Sequence, residues 1–70
     1  MSSYTIIIEK TSDGYSGYVP DLPGCISVGD TRDELVNHLK EAINLYIEEV
    51  KLQGIALPQP STSAELIEVD

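Results

Sequence analysis

Seventy residues make one domain, because a single hydrophobic core uses most of that length. Twelve acidic residues against four basic ones give a formal charge of −8 at pH 7, a balance repelled by phosphate backbones and anionic lipid and drawn to basic partners. With 41% hydrophobic residues the chain has enough apolar surface to fold, so disorder is excluded and unaided nucleic-acid binding is not expected.

Cys25 is the single cysteine. It excludes an intrachain disulfide framework, leaves too few soft ligands for structural zinc, and fits a reducing compartment. The apolar run Ile6-Ile7-Ile8 is too short for a signal segment or a membrane span. The expectation is a cytoplasmic protein with no membrane association, folded as one domain over residues 1–70.

In chain order, Tyr4 to Glu9 is rich in β-branched and aromatic residues and leads into a polar stretch ending in Asp13-Gly14, a hairpin signal. A first strand is predicted there. Tyr15-Ser16-Gly17-Tyr18-Val19 alternates large and small side chains up to Pro20, which has no N–H for a ladder. It predicts a second, antiparallel strand, with Tyr4 and Tyr15 paired across the hairpin. Asp21-Leu22-Pro23-Gly24 is a rigid connector, in which proline fixes φ and glycine accepts a positive one. Cys25-Ile26-Ser27-Val28 then predicts a short third strand, stopped by Gly29.

A long helix is predicted next. Thr31-Arg32-Asp33-Glu34 fits a capping box, and Asp33 and Glu34 sit where the helix dipole favours anions. At about 100° per residue, Leu35, Val36, Leu39, Ala42, Ile43, Tyr46, Ile47 and Val50 fall within an arc of roughly 140°, the core face. Lys51 and Gly54 are C-terminal signals, so the helix is expected from about Arg32 to Gln53. His38, Leu45 and Leu52 line up at heptad spacing off that arc. They are read as the interface with a second copy, giving a dimer or tetramer, beside the simpler reading that the leucines are singly exposed or cover the linker.

Leu57-Pro58-Gln59-Pro60 favours an extended path and Ser61-Thr62-Ser63 a polar joint. Ala64 to Val69 is read as a last strand, which a right-handed crossover would set parallel to the first at its open edge. The fold class is therefore α+β, in the order β-β-β-α-β, with an antiparallel three-stranded sheet and a C-terminal strand packed on one long helix.

Little in the chain carries catalytic chemistry. Asp13, Asp21, Asp30 and Glu34 lie on turns or at the helix start, where acids could converge on a divalent metal, but none follows a ligand spacing and each has a local role as turn former or cap. His38 has no cysteine in register, and reads as a surface or interface histidine before a catalytic base. Cys25, between Gly24 and Ile26, lacks an activating neighbour in sequence and reads as a buried strand residue. The glycines match no phosphate-binding loop. No catalytic residue, metal site or cofactor is expected.

The run Gly14 to Thr31, with Val19-Pro20-Asp21-Leu22-Pro23-Gly24-Cys25 followed by Gly29-Asp30-Thr31, then an acidic helix start and Gly54-Ile55-Ala56-Leu57-Pro58, resembles the HicB antitoxin family over nearly the whole chain. The resemblance implies a partial ribonuclease-H-like fold with strand order 3-2-1-4 and one long helix, usually oligomeric. It also implies a partner, a small basic mRNA-cleaving toxin of the HicA type whose catalytic histidine the antitoxin covers. Operon-repressing members carry a helix-turn-helix or ribbon-helix-helix segment after this core. Residues 1–70 show neither, so direct DNA binding is not expected of them.

Charge and resemblance meet in a non-catalytic antitoxin of a type II toxin–antitoxin system. The expected partner face combines Tyr18, Asp21, Asp30, Asp33 and Glu34, with Glu41, Glu48 and Glu49 along the exposed helix as a second candidate. The alternatives are an orphan oligomeric module without a toxin and a metal-dependent nuclease of ribonuclease-H type.

Overall fold

The computed structural model describes residues 3–70. Three strands, β1 (Ile7–Lys10), β2 (Tyr15–Tyr18) and β3 (Ile26–Gly29), precede one helix, α1 (Arg32–Leu52). The sheet is antiparallel throughout, in the order β1-β2-β3, with Ile8 opposite Gly17 and Gly17 opposite Ser27.

The first hairpin closes over Thr11 to Gly14, where the Thr11 N–H reaches the Gly14 carbonyl at 2.8 Å and the Gly14 N–H the Thr11 hydroxyl at 3.1 Å. This register pairs Tyr15 with Lys10. Tyr4 lies before β1, and its hydroxyl donates to the Pro58 carbonyl at 2.5 Å, so the expected Tyr4–Tyr15 pair does not form. A four-residue loop with its own hydrogen bonds fixed the register, where propensity alone had suggested a longer first strand.

The β2–β3 connection is two turns in succession. The Leu22 N–H bonds to the Val19 carbonyl across Pro20, and the Cys25 N–H to the Leu22 carbonyl across Pro23, both at 3.0 Å. Gly24 follows Pro23 with φ of 84°, the positive angle a type II turn requires at its third residue. This double turn tucks Val19, Leu22 and Cys25 inward, where they form the core with Leu35 and Leu39 of α1. Tyr15, Ile8, Ala42, Ile43 and Tyr46 pack around them.

The predicted core arc holds, with Leu35, Leu39 and Val50 buried and the other five members half-buried. The Thr31 hydroxyl caps the helix by accepting the Glu34 N–H at 3.1 Å. Glu34 reaches back past the cap to the Asp30 N–H at 3.2 Å. At the far end the Ile55 N–H bonds to Val50 and the Gly54 N–H to Lys51, both at 3.1 Å, with Gly54 at φ of 69°. That is the paired bonding of a Schellman stop.

The helix lies chiefly over β3 and β2. Ahead of β1, the chain beyond Gly54 is tied to the N-terminal residues instead, where the Thr5 hydroxyl donates to the Thr62 carbonyl at 2.9 Å. The expected fourth strand is absent among the described residues, since 55–70 carries neither helix nor strand. Leu66, Ile67 and Val69 stand 100%, 79% and 83% exposed. The strand-like composition of this stretch finds no paired edge on its own chain, and a strand without a ladder is not stable in water. The expected order 3-2-1-4 is thus seen only as 3-2-1.

Candidate partner-binding surface

The sheet has one face toward α1 and one toward solvent. Directly opposed residues share a face, so Ile7, Tyr18 and Ile26 form one row on the open side, with Glu9, Ser16 and Val28 as the next. Ile26 and Val28 are mostly exposed there, and Tyr18 is partly so.

Around the edge of β3 the surface turns acidic. Asp13 from the hairpin tip, Asp30 and Glu34 from the helix start, and His38 from the next turn line a cleft of about 360 Å³, with Gly14 and Gly29 in its wall. Two glycines let these elements meet. A Cβ on Gly14 would stand 2.5 Å from the Gly29 carbonyl oxygen, and one on Gly29 would stand 2.6 Å from the Leu35 nitrogen. His38 Nδ1 lies 2.6 Å from the Val28 carbonyl oxygen. A carbonyl only accepts, so Nδ1 carries the proton and Nε2 is free for another partner.

The structure thus brings Asp30, Glu34 and His38 together and adds Asp13, which sequence reasoning had assigned to turn formation. Asp33 is exposed in the first helical turn, and Glu41, Glu48 and Glu49 are exposed further along. Tyr18 opens on the sheet face, in a groove that shares Val28 with the acidic cleft. Asp21 lies elsewhere. One of its carboxylate oxygens accepts the N–H groups of Ser61 and Thr62, both at 3.1 Å, and the other accepts their hydroxyls at 3.0 and 2.8 Å. Those bonds, Thr62's foremost, hold its pKa below the ordinary value of 3.8. No sequence signal joins residues 40 positions apart, which is why this anchor went unforeseen.

On the helix flank, Leu45 is 66% and Leu52 84% exposed, and Leu45 shares a groove with Ile26 and Tyr46. Cys25 is buried, and burial pushes its thiol pKa up, so the side chain stays protonated and unreactive at neutral pH. Among the described residues no three His, Cys, Asp or Glu side chains are placed to share a metal ion. No helix among them is long and apolar enough to cross a membrane. The arrangement suits capture of cationic side chains by fixed carboxylates beside an apolar strip.

The model of a family described as the HicB-like antitoxin of bacterial toxin–antitoxin systems matches residues 4–70. An uncharacterised 14.9 kDa protein of Haemophilus phage HP1 is 44% identical over 64 residues, which are 91% of this chain and 48% of the phage protein. The chain therefore spans about half the length of that relative. A UPF0150 protein of Thermoplasma acidophilum is 46% identical over 57 residues, covering 80% of this chain and 83% of its own. Among solved structures, a chain of the HicA3 and HicB3 toxin–antitoxin complex is similar at a TM-score of 0.70 and 37% identity, over 86% of this chain and 70% of that one.

Proposed function

This chain belongs to the family of HicB-like antitoxins, and on that premise we propose that it binds and neutralises a small basic toxin of the HicA type, without catalysis of its own. The observation that carries the reading is its likeness, at 37% identity, to a chain solved in a complex of toxin and antitoxin. Physical chemistry supports it. A net charge of −8 steers a cationic partner in, and Asp13, Asp30 and Glu34 stand together where such a partner could be held.

In this reading the partner lies over the acidic cleft and Tyr18, with Asp33 at the rim and with Glu41, Glu48 and Glu49 extending the negative field along α1. The flank of His38, Leu45 and Leu52 joins copies of the chain. A cytoplasmic location and a partial ribonuclease-H-like ancestry belong to the same proposal. The test is titration of this protein into an RNA-cleavage assay with a HicA-type toxin. Cleavage should fall to background near one equivalent, and undiminished cleavage at tenfold excess would sink the reading.

A further inference from the structure

We propose that His38 and Glu34 of α1 stand in for a neighbouring strand along the outer edge of β3, and so keep that edge closed to strand addition. The inference concerns the sheet itself and stands whether or not the chain holds a toxin.

A sheet edge is a row of backbone groups able to pair with another chain, and folded proteins blunt it with charge, bulges or cover. The two edges of this sheet differ in that respect. β1 carries Glu9 and Lys10. β3 carries no charge, since no residue between Asp21 and Asp30 is acidic or basic. Its Ile26 and Val28 are β-branched and mostly exposed. An uncharged, apolar edge of this kind has the composition from which strands pair between molecules, so it needs cover other than charge.

The register shows which groups need it. The Val19 N–H bonds to the Cys25 carbonyl, which makes Gly17–Ser27 and Tyr15–Gly29 the hydrogen-bonded pairs of the β2–β3 ladder. The backbone groups of Ile26 and Val28, and of Asp30 one residue past the strand, therefore point away from β2. Among the described residues no strand meets them. Two consecutive members of that outward row are nevertheless taken. His38 Nδ1 donates to the Val28 carbonyl at 2.6 Å, and Glu34 Oε1 accepts the Asp30 N–H at 3.2 Å. A parallel strand laid here would meet the same two groups with the N–H and C=O of one residue. In an ordinary capping box Glu34 would return to the Thr31 N–H, and it reaches the edge instead. Glu34 and His38 lie four positions apart on one face of α1, so a single helical turn supplies acceptor and donor side by side.

The test uses full-length chains. In the wild type, relative to intrinsic rates, the Asp30 amide should exchange about tenfold more slowly than the unpaired Ile26 and Val28 amides. Equal rates would overturn the proposal. His38→Ala with Glu34→Ala opens the edge. In sedimentation velocity its mass should exceed that of the wild type increasingly as concentration rises, while the Ile26 and Val28 amides slow by about tenfold. His38→Asn with Glu34→Gln keeps a donor near the place of Nδ1 and an oxygen at residue 34, and should match wild type. Asp33→Asn, which removes one charge from the same helix start, should match it too. Circular dichroism at low concentration reads the helix in each variant, and His38→Ala alone, which leaves the helix start intact, carries the same expectation if the double variant loses it. An opened edge with wild-type mass, association that leaves Ile26 and Val28 exchanging freely, or equal association in the conservative pair or in Asp33→Asn would each overturn the proposal.

Discussion

The Asp21 carboxylate and the Thr62 hydroxyl lie 2.8 Å apart across 41 positions of sequence, and three further donors from Ser61 and Thr62 converge on the same carboxylate. All four favour the charged form, which places the folded pKa below 3.8. A carboxyl lowered in this way contributes stability that is complete above its unfolded value, and is lost as pH falls through the folded one. The anchor should therefore hold at neutral pH and release only in acid, as pH falls through a folded pKa that lies below the ordinary value of 3.8. Hydrogen exchange at the Ser61 and Thr62 amides reads this directly. Asp21→Ala should speed both at pH 7 while leaving the Leu39 amide protected, and equal rates in wild type and variant would show the anchor idle.

Gly29 is held by contact, since its backbone angle is one that any residue adopts. The place of its missing Cβ is filled by the Leu35 nitrogen at 2.6 Å and the Leu35 Cα at 3.0 Å, both backbone atoms of a helix that cannot swing aside. Gly29→Ala should force β3 and α1 apart at a cost of about 2–3 kcal/mol, an overpacking effect. For a domain of this size each kcal/mol lowers the melting temperature by about 4–8 °C. A calorimetric midpoint within about 3 °C of wild type would mean that the two elements separate without strain.

The local signals of this chain were readable before its long-range ones. Thr31, Glu34 and Gly54 announce the ends of α1, and the helical arc from Leu35 to Val50 names its core face, because caps and periodicity act within one or two turns. Pro23-Gly24 gave the turn for the same reason. Tyr4 and Asp21 were not readable, because their partners lie 54 residues away for the one and 40 and 41 for the other. Gly29 was read as a strand stop, and its packing role needs the helix in place to be seen. The acidic cleft was half visible, with Asp30 and Glu34 four positions apart across the helix start but Asp13 and His38 delivered by the hairpin and the next helical turn.

The Thr31 hydroxyl meets the Glu34 N–H at 3.1 Å, in the one place where the helix needs an acceptor. Thr31→Ala should cost about 1 kcal/mol, within the usual range for such caps. Thr31→Ser keeps the hydroxyl and should recover most of it. Urea unfolding of both variants separates the cap from the lost methyl, for equal midpoints would assign the effect to packing.

Asp30 and Glu34 can be neutralised without disturbing the helix start, since glutamine at 34 still offers an oxygen to the Asp30 N–H. With Asp30→Asn and Glu34→Gln together, association with a basic toxin should slow by about fivefold to tenfold at low salt, and the difference should shrink near 0.5 M salt as screening removes it. Stopped-flow binding at two ionic strengths measures both. A rate unchanged at low salt would move the contact away from the cleft.

Leu45 shares a groove with Ile26 on the flank of α1, and both are more than 60% exposed in the single chain. If that flank joins two copies, each Leu45→Glu substitution sets a carboxylate into an apolar contact, where an unpaired charge is costly enough to prevent association. The substituted side chain is solvated in the separated chain, so the fold itself should be untouched. Sedimentation velocity should show a smaller assembly for Leu45→Glu than for wild type, with the melting curve at matched low concentration unaltered. An identical mass would return Leu45 to the class of singly exposed leucines.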